Sequence, residues 1–291
     1  MSAATWALGS TRLFWRLVDP ASNARGLSAA LASIRRHAPL ALSMARRELR
    51  SRHAGNILGS MWIIGHPLFQ MCLFVFIFAV VFQQKIGGNR ELPRDYTTYI
   101  LTGLVPWLAM VPVFTGACSA IIANSNLIKQ FSFEAEVLPI KDVALSMVFW
   151  VVGVVLIVVY QLFIYVSLPW TLILLPLVLA MHLATMLGVA LLLAAITVFV
   201  RDVKDIMVLV VSAGVYVLPI VYLPTWVPPI FRPFLYANPF SYLIWVYQDV
   251  FYFGRIEHPA SWAISAILSL LSLSIGYRVF HRLQPIFGNA L

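Results

Sequence analysis

Arg46, Arg47, Arg50 and Arg52 put four guanidinium groups into one short stretch, the densest charge in the chain. Guanidinium groups pair bidentately with phosphate oxygens, so the block suits an anionic surface. Groups that make or break bonds are harder to find. The sequence has no G-x-x-x-x-G-K-[ST], no H-E-x-x-H, no C-x-x-C and no G-x-S-x-G. That removes the usual phosphate loop, zinc hydrolase, redox pair and serine hydrolase elbow. The six histidines are scattered. His66 precedes Pro67, and His182 stands deep in an apolar run. A lone histidine there is either a proton relay or a neutral ring bonded to a neighbouring helix, and the second is expected. Cys72 and Cys118 are expected to be buried small hydrophobes, with no disulfide or metal site. Asp202 and Asp205 are candidate acids at an interface. Arg201 and Lys204 interleave with them and predict a self-paired loop.

The elements that must carry these residues are membrane spans. Positions 1–61 hold nine basic residues against two acids, and then charge stops: positions 57–84 contain no Asp, Glu, Lys or Arg. About 20 apolar residues at roughly 1.5 Å each cross the hydrocarbon core. The apolar character recurs throughout the 291 residues, which are 61% hydrophobic and 11% charged. A soluble domain carries about 25% charged residues, so a soluble enzyme on one anchor is excluded and one membrane domain is expected. Most of the net charge of +9 lies in the N-terminal flank. This is a topology and anionic-lipid signal, not a nucleic-acid footprint.

The expected fold is an all-α integral membrane protein. Residues 1–27 read as a cytoplasmic tail, without the pattern of a cleavable signal peptide. Residues 28–56 read as an amphipathic interfacial helix region. Leu27, Leu31 and Ile34 share a face, and Pro39 breaks that piece. Ala41, Leu42, Ala45 and Leu49 then oppose Ser43, Arg46, Arg47 and Arg50. Residues 57–291 read as one transmembrane domain of six spans, near 61–84, 98–123, 143–167, 172–200, 206–223 and 262–281. An even number puts both termini on one side. Connections on that side carry 15 basic residues against 5 on the other, which places both termini in the cytoplasm.

Two connections stand out. Residues 124–142 are a charged cytoplasmic loop with apolar residues of its own. Residues 222–261 are too proline-rich for one span and too aromatic for an ordinary loop. There Asn238-Pro239 opens a helix with Phe240, Leu243, Ile244 and Tyr247 on one face. Two short re-entrant helices in the outer leaflet are expected, their rings forming a headgroup belt or a gate. No Asp or Glu falls at the centre of a span, and no repeated half is visible. A carboxylate-coupled transporter is therefore not supported, and any transport must be driven by another chain.

Several short runs, in order, carry a resemblance. They are Arg47-Glu48-Leu49-Arg50-Ser51-Arg52-His53, Leu58-Gly59-Ser60-Met61-Trp62 with Pro67-Leu68, and Leu101-Thr102-Gly103-Leu104-Val105-Pro106-Trp107. Further on come Asn124-Ser125-Asn126-Leu127-Ile128-Lys129, the stretch 133–139, Phe199-Val200-Arg201-Asp202-Val203 and Asn238-Pro239. Together, over about residues 45–255, they resemble the permeases of type-2 ABC exporters of the polysaccharide-export class. The chain departs from that pattern at His53, where an aromatic is usual, and at Glu134 and Ala135, where Pro and Arg are common.

The resemblance implies a homodimer in a bacterial cytoplasmic membrane, paired with two ATPase subunits that hold ATP and magnesium. The implied cargo is a lipid-linked polysaccharide such as O-antigen, capsule or teichoic acid. Leu127, Ile128, Lys129, Phe131, Phe133, Glu134 and Glu136 would then couple to the ATPase. Arg46, Arg47, Arg50 and Arg52 would face lipid headgroups or a substrate pyrophosphate. Trp107, at the outer end of the second span, and Tyr242, Trp245 and Tyr247 would line the outer path, where aromatic faces suit sugar rings. No catalytic residue is expected. A drug or lipid exporter of the same superfamily is the alternative, with a membrane-embedded glycolipid transferase behind it.

Overall fold

A computed structural model describes residues 19–52, 59–81, 93–130 and 133–291. Among them every regular element is helical. The helices are α1 (Pro20–Arg52), α2 (Trp62–Val75), α3 (Tyr96–Ala123), α4 (Ser125–Gln130), α5 (Val137–Tyr165), α6 (Leu175–Thr197), α7 (Val203–Val217), α8 (Arg232–Ala237), α9 (Pro239–Gln248), α10 (Pro259–Leu283) and α11 (Phe287–Ala290). Among the described residues four stretches are long and apolar enough to cross a membrane: Tyr96–Ala123, Val137–Tyr165, Trp170–Thr197 and Pro259–Ile286. At roughly 1.5 Å per residue, a helix of 28 residues reaches about 42 Å, more than the hydrocarbon core of about 30 Å.

The centre of the bundle is α3. Asp95 caps its start, accepting from the Thr98 amide at 3.2 Å. Every residue from 96 to 110 is buried, although Pro106 and Pro112 lie inside the helix. Around it α6 and α10 make the tightest crossing. A Cβ on Gly188 would sit 2.2 Å from the Ser272 carbonyl carbon, and one on Gly276 would sit 2.1 Å from the Gly188 oxygen. Only glycine admits that approach, as at small-residue crossings within membranes. Thr185 and Ser269 are joined alongside at 3.0 Å.

The structure departs from the expected elements in four places. First, α1 continues unbroken across Pro39. A proline interior to a helix costs about 3 kcal/mol, but packing fixes α1 on both sides of it. Gly26, Ala30, Ser33, His37, Ala41 and Ala45 form one buried stripe. Leu31 and Leu42, read with the apolar face of an interfacial helix, lie outside this stripe and are exposed. Second, α7 has 15 residues, about 22 Å at roughly 1.5 Å per residue. It ends before Pro219, because the pre-proline Leu218 is extended, at φ −84° and ψ 154°. Third, α5 begins at Val137, so the end of the 124–142 connection is already helix. Fourth, Cys72 is exposed on α2, while Cys118 is buried as expected. The helix α2 continues as a π-helix over Phe76–Val81.

Candidate functional site

The helices gather two sets of polar groups, one at each end of the bundle. One end, rich in aromatics, joins the start of α3, the end of α5 and the segment from α8 to the start of α10. Asp95 is its anchor. Tyr160 and Tyr165 each donate to its carboxylate at 2.5 Å, and Thr98 Oγ1 does the same. The Arg94 guanidinium lies 4.9 Å from the centre of the Tyr165 ring. Burial lowers the Arg94 pKa, with the phenol of Tyr165 and the carboxylate of Asp95 opposing. Tyr252 donates to the Arg94 carbonyl at 2.9 Å.

Beside this anchor opens a cleft of about 980 Å³, lined by Tyr99, Trp226, Tyr236, Tyr242, Trp245 and His258 among others. Tyr242 meets Trp245 edge-on at 5.4 Å. The His258 ring stacks on Trp245 at 5.8 Å, with 13° between the planes. Asp249, wholly buried, holds this wall in place. It accepts from His258 Nδ1 at 2.8 Å, the His258 amide at 3.1 Å and Trp262 Nε1 at 2.9 Å. Sequence reasoning missed Asp249 because its partners lie across a helix break at Gly254, whose φ is +63°.

The four outer-path candidates separate. Tyr242 and Trp245 line the cleft. Tyr247 is fully buried behind it, accepting from Trp150 Nε1 at 2.6 Å and lying 3.1 Å from His182 Nδ1. His182 is thus bonded to a neighbouring helix. Trp107, expected at a span end, lies well inside α3. It packs against Phe114 and Phe240, and so closely against Gly214 of α7 that a Cβ there would sit 1.8 Å from the ring. The phase of α3 turns this ring inward, which span boundaries alone do not report.

The other end carries the charge. Asn124 ends α3, its amide side chain donating to the Ala120 carbonyl at 2.8 Å, and α4 follows. Leu127 is 38% exposed, and Lys129 is exposed. Ile128 and Phe133 are half-buried against Ala120, Ile121, Leu138 and Phe280, among others. Phe131 lies outside the described residues. Glu134 is exposed and pairs with His37 of α1. Glu136 is turned inward, 5% exposed, and is held by Ser33 of α1 and His281 of α10.

Arg46, Arg47 and Arg50 are exposed; Arg52 ends the helix. Glu48 between them points back to the bundle and accepts from Lys141 Nζ at 2.5 Å. Arg201, Asp202, Lys204 and Asp205 are all exposed. No ion pair joins them among the described residues, so the self-paired loop does not form.

Sequence comparison matches this architecture to known proteins. The family model of the ABC-2 type transporter matches residues 40–252. An O-antigen export system permease protein RfbA of Klebsiella pneumoniae is 26% identical over 257 residues, covering 87% of this chain and 95% of the relative. A protein of the same name from Myxococcus xanthus is 28% identical over 255 residues, with the same coverage.

Proposed function

Because the chain belongs to the ABC-2 type transporter family, we propose that it is the membrane half of an ATP-driven exporter of lipid-linked polysaccharide. It is a multi-pass transporter permease subunit, not an enzyme. The cargo class rests on the O-antigen permeases that match it almost end to end. In this reading six spans cross the bacterial cytoplasmic membrane, counting α2 and α7, with both termini inside. The connection 124–142 is the coupling loop, and 222–261 is the outer re-entrant segment. The ATPase, with ATP and magnesium, is a separate pair of subunits. Leu127 and Lys129 present the docking surface, with Glu134 beside it, while Ile128 and Phe133 anchor it to the bundle; Phe131 is assigned to the same contact from the sequence alone. Arg46, Arg47, Arg50 and Arg52 lie along anionic headgroups, each contributing about 1 kcal/mol. Leu31 and Leu42, on the outward side of α1, suit the acyl boundary there.

The observation that carries the homodimer is the filled core. Residues 96–110 of α3 are all buried, so the centre of one copy is packed with side chains where a sugar chain would have to pass. A path must then lie between two copies. The helix α7 suits that seam: within it only Gly214 and Val215 are buried, and it exposes Ser212 and Lys204 along with Ile206 and Leu209. Tyr242 is the exit contact of this reading, giving weak contacts to sugar rings, and Trp245, 2% exposed, backs it from within the wall.

Leu127→Asp in the intact complex tests the docking. A carboxylate at a desolvated joint costs several kcal/mol, so the ATPase is expected to dissociate while the membrane domain stays folded. Co-purification at the wild-type ratio would sink the assignment. Purified alone, the chain is expected to hydrolyse no ATP.

A further inference from the structure

Glu136 occupies the cap position of α5 yet makes no cap hydrogen bond with its own helix. Its two oxygens go to two other elements. One accepts from Ser33 Oγ of α1, and the other lies 2.6 Å from His281 Nε2 of α10. His37, one turn beyond Ser33, lies 3.1 Å from the Ser33 hydroxyl through Nδ1 and pairs with Glu134 through Nε2. The same Nδ1 is 3.9 Å from Glu136. Ser33, His37 and Glu136 are all less than a tenth exposed, while the more exposed His281 packs on Tyr277 with ring centres 4.2 Å apart. Two carboxylates, two imidazoles and a hydroxyl thus converge from three elements. Lys141 ties the far part of α1 to the first turns of α5 through Glu48.

We propose that this cluster is a transmission joint, in which Glu136 and His281 are positioning residues that carry movement of the 124–136 segment into α1 and α10. The proposal rests on the reading of that segment as the ATPase contact. Burying an ion pair contributes little net stability compared with an apolar contact of the same size, so holding the helices together does not by itself call for this chemistry. Directional bonds do something an apolar contact does not. They fix the angle between the loop and both helices, and they break and re-form as units. Because one carboxylate bridges both partners, a displacement of Glu136 acts on α1 and α10 together. Glu134, at a departure from the resembling pattern, adds the link to His37 that Pro would lack.

Hydrogen exchange on the full complex with its ATPase tests this, comparing the ADP state with the vanadate-trapped ATP state. In the wild type, nucleotide is expected to change exchange in three places: the α4 loop, residues 30–38 and residues 277–283. In Glu136→Gln and His281→Ala the loop should still respond. The response in the two helices should fall about tenfold, as expected for losing a charge-assisted hydrogen bond. His281→Gln, which keeps a donor, should restore most of it. Assembly is checked in each variant by recovery of the dimer with bound ATPase; His281→Gln and Ser33→Ala are the mildest changes. A response that persists in all three segments of Glu136→Gln overturns the joint, as does a wild-type response confined to the loop. Loss of the ATPase on mutating His281, whose side chain is 40% exposed, also overturns it, since that residue would then be a docking residue. A wild-type chain that binds no ATPase is a different result, and it sinks the functional reading itself.

Discussion

Asp95 shows how one residue organises an end of this bundle. Its carboxylate caps α3 and receives Thr98, Tyr160 and Tyr165, so it ties the start of one helix to the end of another. Hydrogen bonds to a charged group contribute about 1.5–3 kcal/mol each, and a cap about 1 kcal/mol. The terms overlap, since one carboxylate serves all four donors. Asp95→Ala is therefore expected to destabilise the domain by about 3 kcal/mol, read as a lower melting temperature of the detergent-purified protein. A loss below about 1 kcal/mol, the value of a cap alone, would mean that the tyrosines find water instead. Nothing in the local sequence marks this role beyond Asp two places before Thr97. Its tyrosine partners lie 65 and 70 positions away, and only the bundle brings them near. Glu136 is the same case. Its type and place suggested an outward contact, but the carboxylate is committed to Ser33 and His281.

At the scale of elements, the crossing of α6 and α10 makes a sharp prediction. Gly188→Ala puts a methyl where the Ser272 backbone already lies. Backbone does not yield as a side chain does, so the helices must separate and lose the bond between Thr185 and Ser269. Overpacking costs about 1–3 kcal/mol, occasionally more. Unchanged thermal stability of Gly188→Ala would show that the crossing is looser than drawn. Hydropathy made the long apolar helices legible, because about 20 apolar residues have few other places to go. It did not show which faces meet. In α1 the buried stripe is Gly, Ala, Ser and His, since close approach selects small residues and leaves Leu31, Leu40 and Leu42 to the outside. The short α7 was hidden for another reason: Pro219 stops the helix, while the apolar composition runs on past it. The aromatic helices were visible through Asn238-Pro239, whose Asn caps α9 by accepting from the Phe240 amide at 3.0 Å. The charged cluster was not, because His37 and Glu134 are 97 positions apart.

For the whole molecule the question is what covers each apolar surface. The outward face of α5 carries Val151, Val155 and Val159, all exposed and all aliphatic. Such a face suits lipid tails. The helix α7 is different, because Leu209, 70% exposed at the middle of the helix, shares the outside with Ser212, whose hydroxyl turns back to the Val208 carbonyl at 2.8 Å. If the seam between two copies is the path for a hydrated glycan, position 209 meets water or a partner helix and position 155 meets lipid. An arginine distinguishes these surroundings, since at the centre of a lipid-facing helix it costs about 2.5–3.5 kcal/mol of insertion free energy. Val155→Arg is therefore expected to cut the yield of membrane-inserted protein severalfold. Leu209→Arg should insert and recruit the ATPase at near wild-type levels, yet lower the amount of long-chain polysaccharide displayed on intact cells. Equal loss of insertion in both variants would place α7 against lipid and move the path elsewhere. Normal insertion and normal display in Leu209→Arg would remove α7 from the path altogether. The contrast needs both variants, because either alone is open to a general effect of added charge, whereas the filled core around α3 leaves only surfaces of this kind for the passage.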